Sequence, residues 1–424
     1  MATAPGGDAA PKRPPSDRQA TVRALSDRLV AAQRPLRVLD AVRWGDDVEH
    51  AFFAAGARRL PPVGRDYYAD RPLPFDPDGK RRELLDLESD VRRRLGAGHA
   101  AGRLLLRRCA ECRQVVDLLR VRGTPAFAVL SERLYGGPQD RPRPGGPSLA
   151  GLARLFGGGG ATGEATLDGE TAAAVLRYRL GAYFGDAAVR VRLSGGLAAD
   201  AAAGGGCLRL RGGVLFTEGD LRLLEVHEGW VHLGTTRNGQ AQPACTFLSQ
   251  GPPSATVTQE GLAVLTEVLA GAAHAARVRR LTNRAAAVAL AAAGADFLDV
   301  YRFFEADGLP PRDAYRAAVR VFRGSLPRGC GPFTKDLSYC TGFARVLGFV
   351  TGAAGGAVAR VPLLFCGKTD LDDLPGLAAL ADEGLLAPPR FVPPPFADLN
   401  ALAAGLRRSG NGLTGTGSVG DGPV

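Results

Sequence analysis

Apolar residues recur at three- and four-residue intervals along much of the chain. Leu84, Leu87, Val91 and Leu95 fall on one face of a helix. Similar spacing predicts helices over 19–60 and 82–122. The stretch between them, LPPVGRDYYADRPLPFDPDG, is dense in turn formers. Gly136–Pro147 and Gly157–Gly160 are expected loops, and the second lacks the lysine of a phosphate-binding loop. Three short runs have strand character: Ala188–Leu193, Cys207–Arg211 and Val214–Thr217. Gly212–Gly213 is expected to join the last two as a hairpin. Helical spacing resumes at Asp220 and continues to about Val350, and Leu363–Cys366 is a further strand candidate. Residues 1–18 are expected to form a disordered arm and residues 406–424 a flexible tail. The pattern predicts an α+β fold, predominantly helical, with a small β-sheet placed just before the most polar helix.

Composition narrows the class. The chain has 424 residues, of which 45% are hydrophobic, enough for a sizeable core. No apolar run reaches the roughly 18–20 residues that span a bilayer, and the N-terminus has no apolar core for a signal peptide. A soluble, cytoplasmic protein is expected, with no membrane partner. Seven scattered Cys fit reduced thiols rather than a disulfide framework. The lone Cys109-Ala110-Glu111-Cys112 lacks the second pair of a zinc ribbon. The net charge of +10 lies mainly in residues 1–150, which carry +8. No basic–aromatic interleaving accompanies it, so nucleic acid is not an expected partner. Only four Lys stand against 49 Arg. That bias devalues any single Arg as a clue and draws attention to Lys335 and Lys368.

The chemistry concentrates at Glu225-Val226-His227-Glu228-Gly229-Trp230-Val231-His232. Two of five His lie here, and Glu260 follows 28 residues after His232. Two His and a distant carboxylate are the ligands of a catalytic zinc site with its fourth position open. The spacing is HExxxH, however. In a regular α-helix, positions i and i+5 are about 140° apart, too wide for one ion. A π-bulge would bring His232 back beside His227, and Gly229 tolerates distorted backbone. Glu267, seven residues after Glu260, is a competing ligand or a partner behind the ligands.

These residues resemble the microtubule-associated tyrosine carboxypeptidase family, including its bacterial "QEGLA motif" members linked to flavohaemoglobin expression. The resemblance rests on HEGWVH, Asn238-Gly239-Gln240-Ala241-Gln242-Pro243 and Gln259-Glu260-Gly261-Leu262-Ala263. Shorter matches follow in family order: Arg122-Gly123-Thr124, Leu134-Tyr135-Gly136, Arg323-Gly324, Phe333-Thr334-Lys335-Asp336 with Tyr339, and Gly367-Lys368. It implies a gluzincin-like zinc metallopeptidase, one catalytic domain over 19–405. The N-terminal part would be helical to about 135, with the metallopeptidase core at about 165–390. It implies one Zn²⁺ per chain on His227, His232 and Glu260, with Glu228 as catalytic base. Gly229 departs from the aliphatic residue common at that position.

The expected reaction is removal of a C-terminal residue, tyrosine or another aromatic, from a peptide or protein. Tyr339 is the first candidate for the oxyanion donor and His274 the second. Lys335, Arg323 and Lys368 are candidates for the terminal carboxylate. Two alternatives stay open: an aminodipeptidase of the HExxGH type, and a non-catalytic scaffold with a zinc site.

Overall fold

A computed structural model describes residues 16–139, 164–185, 189–195, 200–204, 206–353, 358–402 and 404–405. The fold is predominantly helical with one three-stranded sheet. The first helix, Asp17–Gln33, begins inside the expected arm, because Ser16 caps it by accepting from the Gln19 N–H. The rest of the arm, the 406–424 tail, Gly157–Gly160 and most of the Gly136–Pro147 loop lie outside the described residues.

The predicted 82–122 helical region is a pair, Pro77–Arg94 and Ala100–Arg120. Leu84, Leu87 and Val91 are buried in the main core with Leu104, Leu105 and Cys109. The CxxC cysteines are buried there as free thiols. Burial pushes the Cys109 thiol up to about 12, and Cys112 shifts in the same direction. Both pack as small apolar side chains.

The sheet differs from the expected hairpin. Its strands are β1 (Arg190–Ser194), β2 (Ala201–Gly204) and β3 (Cys207–Arg211), in the order β1-β3-β2. β3 pairs parallel with β1 and antiparallel with β2. Val214–Thr217 is not a strand. Phe216 makes one isolated bridge to Leu167, and Thr217 caps the helix Glu218–Leu224 in a capping box with Asp220. The helix start signal outweighs the strand propensity of Val214 and Phe216. β2 is made of Ala and Gly, which carry no strand signal. It lies against the following polar helix, where small side chains allow close approach. Leu363–Cys366 is also corrected: it falls mostly in a 3₁₀ segment, Val358–Phe365, that contains Pro362.

Two long helices carry the rest of the site. Pro253–Leu269 crosses Ser338–Ala353 at a pair of glycines. A Cβ on Gly261 would lie 2.0 Å from the Gly342 carbonyl carbon, and one on Gly342 would lie 2.0 Å from the Val257 oxygen. The glycine after Glu260 therefore sets how closely the two helices cross. No helix among the described residues is long and apolar enough to cross a membrane.

Candidate metal centre

The polar helix distorts where the HExxxH spacing requires it. Glu225–Leu233 is a π-helical segment continuous with the α-helices Glu218–Leu224 and Gly234–Gln240. The wider turn brings His227 and His232 onto one face. Their rings are 4.7 Å apart and perpendicular. Gly229 has a packing role here. A Cβ at this position would lie 2.2 Å from Leu180 Cδ2, on the helix Gly169–Phe184 that packs alongside.

Glu260 meets the two histidines from the crossing helix. Its Oε2 is 3.3 Å from His227 Nε2 and 3.4 Å from His232 Nε2. Two ligand bonds of about 2.0–2.1 Å at the tetrahedral angle separate donor atoms by about 3.3 Å. All three donor atoms lie within 4.8 Å of one another. Glu260 Oε2 is buried and has no hydrogen-bond partner. A buried, orphaned carboxylate oxygen aimed between two imidazoles is satisfied by a cation. The donor set fits a metal ion, and no fourth protein ligand joins it among the described residues.

Neighbouring groups fix each ligand. Lys335 Nζ donates to Glu260 Oε1 at 3.1 Å, which leaves Oε2 facing the histidines. Glu267 Oε1 is 2.5 Å from His227 Nδ1, so the second carboxylate of this helix holds the far side of the ring. Arg277 grips Glu267 through Nε at 3.0 Å and a terminal nitrogen at 2.8 Å. Burial would raise the Glu267 carboxyl, yet Arg277 and His227 bring it down to about 2. Burial would lower His227, but the carboxylates of Glu260 and Glu267 beside its ring raise it to about 10. Three carboxylates are arranged around one positive position. Lys368 Nζ donates to the His232 carbonyl at 2.8 Å and lies 3.3 Å from Gln259 Oε1, and burial brings its ammonium down to about 8.

Glu228 is not drawn into the ligand cluster. Its Oε2 accepts from the Ala203 N–H of β2 at 2.8 Å, and Oε1 is 3.9 Å from His227 Nε2. The strand thus aims the carboxylate. Tyr339 lies beside the cluster, its ring 6.3 Å from that of His227. A cavity of about 80 Å³ opens against His227, Glu228 and Tyr339, walled by Leu223, Leu224 and several arginines.

The remaining sequence candidates are elsewhere. Arg323 is buried and lines a separate cavity of about 560 Å³ with Trp44 and Tyr315. His274 caps the helix Ala275–Ala292 by accepting from the Arg277 N–H and does not line the metal cavity. Asn238 and Gln242 serve structure: their amides hold the carbonyls of Phe365, Phe391, Cys366 and Ala387. Sequence reasoning missed Arg277, Arg280, Arg284 and Arg320, which all line the metal cavity. The first three recur at three and four residues on one helix, a one-face signal hidden by the abundance of Arg.

The predominantly helical fold thus brings His227, His232 and Glu260 into a cluster that could hold a metal ion, with Glu228 aimed beside it by β2. The family model described as microtubule-associated tyrosine carboxypeptidase matches residues 50–413. The match covers most of the chain, which belongs to this family and so has a carboxypeptidase-like assignment with a peptide or protein substrate. Comparison with curated proteins finds no match.

Proposed function

We propose that the chain is a zinc-dependent, gluzincin-like carboxypeptidase that removes one C-terminal residue, tyrosine or another aromatic, from a polypeptide. The observation that carries this is the orphaned Glu260 Oε2 between His227 Nε2 and His232 Nε2, with Glu228 held next to them but outside the cluster.

When bound, zinc would supply Lewis acidity and bring the pKa of a coordinated water toward about 7. His227, His232 and Glu260 would hold it. Glu228, fixed by the Ala203 N–H, takes the water proton and delivers it to the leaving amine. Tyr339 faces the same cavity and is the candidate donor to the developing oxyanion. Lys335 and Lys368 are assigned to holding Glu260 and the His232 backbone, rather than to the substrate carboxylate.

The test is a panel of peptides ending in tyrosine, blocked at either end, incubated with zinc-loaded protein. Cleavage should persist with a blocked N-terminus and stop with a C-terminal amide. An opposite dependence would favour an aminopeptidase-type enzyme. Zinc without any cleavage would favour a scaffold.

A further inference from the structure

Four arginines reach the cavity beside Glu228, and three of them are already engaged. Arg277 is bound to Glu267. Arg320 makes a two-point contact with Asp336, both distances 2.7 Å. Arg280 is 3.4 Å from Asp200. Arg284 is different. Its guanidinium makes no hydrogen bond and no ion pair among the described residues, and its one ring contact is with Tyr339, 5.5 Å from the centroid. Burial and the adjacent Arg320 lower it to about 10, while the Asp336 carboxylate pulls in the other direction without pairing with it directly.

Its position matters as much as its charge. Arg284 lines the 80 Å³ cavity against the metal ligands and also a second cavity of about 360 Å³ behind it. It stands on the partition between them with Asp200, Arg280 and Arg320, and among these four it is the one that makes no hydrogen bond or ion pair. The general acid must face the leaving amine, and Glu228 lines the small cavity. The departing residue therefore belongs in that cavity. The body of the polypeptide has a separate space of about 680 Å³, lined by Lys335 and the Gly204 end of β2.

We propose that Arg284 makes this site an exopeptidase: it binds the substrate's terminal carboxylate and closes the small cavity after one residue. This rests on the carboxypeptidase reading. A guanidinium matches a carboxylate with two parallel N–H donors, which fixes where the chain must end. Without Arg284, the second cavity becomes a further subsite on the leaving side. The carboxylate is then no longer required.

The experiment compares wild type, Arg284→Ala and Arg284→Lys on a peptide ending in alanyl-tyrosine, as free acid and as amide. Mass spectrometry identifies the fragments released. Wild type should release single residues and prefer the acid by roughly 30-fold or more. Arg284→Ala should lose that preference and release dipeptides, while Arg284→Lys keeps single-residue release at reduced kcat/KM. Calorimetric binding of both peptides to zinc-loaded Glu228→Gln, with and without Arg284→Ala, should repeat the loss of acid preference without turnover. An active wild type whose Arg284→Ala variant still releases only single residues and still prefers the acid overturns the assignment of Arg284. A wild type that releases no C-terminal residue at all overturns the carboxypeptidase reading itself, and this proposal with it.

Discussion

The two walls of the metal cavity are built on opposite terms. On the histidine wall, the polar groups around the ligands are committed. Lys335 holds Glu260, Glu267 holds His227, Arg277 holds Glu267, and the Ala203 N–H holds Glu228. Glu260 Oε2 is the carboxylate oxygen left unpartnered among these described groups, and a metal ion fits there. On the arginine wall, engagement is incomplete: Arg320 is locked to Asp336, while Arg284 faces the cavity with no hydrogen bond or ion pair of its own among the described residues. A site that binds a resident ion must present preset ligands. A site that binds a passing carboxylate must leave one cation available. On the proposed reading, the difference separates the groups that would hold the metal from the one that would hold the substrate.

Glu228→Gln should give the largest effect that sharpens this contrast. It removes the proton carrier without touching a ligand, so kcat should fall about 10²–10⁴-fold with metal content unchanged. Loss of metal together with activity would place Glu228 among the ligands instead.

Asp336→Asn should cost about 3–5 kcal/mol of stability, because it leaves Arg320 buried without its anion. Arg320 beside Asp336 outweighs the cost of burial and holds the carboxyl below the usual carboxylate range. A depressed folded value means that this stabilisation is present at neutral pH. It is lost as pH falls through the ordinary carboxylate range near 4 and on toward the folded value. Urea melts at pH 7 and pH 3 should show the variant losing less on acidification than wild type. Equal losses would mean that the pair contributes nothing to acid sensitivity.

Glu267→Gln should weaken zinc binding by about 10–100-fold in a chelator competition, since the carboxylate behind a metal-bound His fixes its orientation and basicity. Unchanged affinity would limit Glu267 to packing. Gly229→Ala is the smallest change. Leu180 must shift to admit the methyl group, and a cost of about 1–3 kcal/mol is expected. A larger cost, read from the melting midpoint, would mean that the π segment cannot take a side chain there.

The histidine wall was legible because its geometry is local. His227, Glu228 and His232 share nine residues of one segment, and their spacing is incompatible with a regular helix unless it bulges. Glu267 could be placed because it repeats Glu260 two turns later on the same helix. The arginine wall was not legible to the same degree. Arg277, Arg280 and Arg284 share a helix face, but in a chain with 49 Arg such a pattern carries little weight. Arg320 joins them only through tertiary packing. β2 was invisible for a related reason: Ala201–Gly204 is a strand because β3 and the π segment lie beside it, not because Ala and Gly favour one. Lys335 and Lys368 stood out by rarity and were expected at the substrate carboxylate, but their partners, Glu260 and the His232 carbonyl, depend on folds of the chain that spacing does not encode.

The most direct measurement is zinc content after purification, zinc loading and removal of excess ion. The account predicts about one zinc per chain in wild type and in Glu228→Gln, and far less in His227→Ala, His232→Ala and Glu260→Ala, each confirmed to be folded. A folded wild-type protein that retains no zinc, or retains it without Glu260, would contradict it.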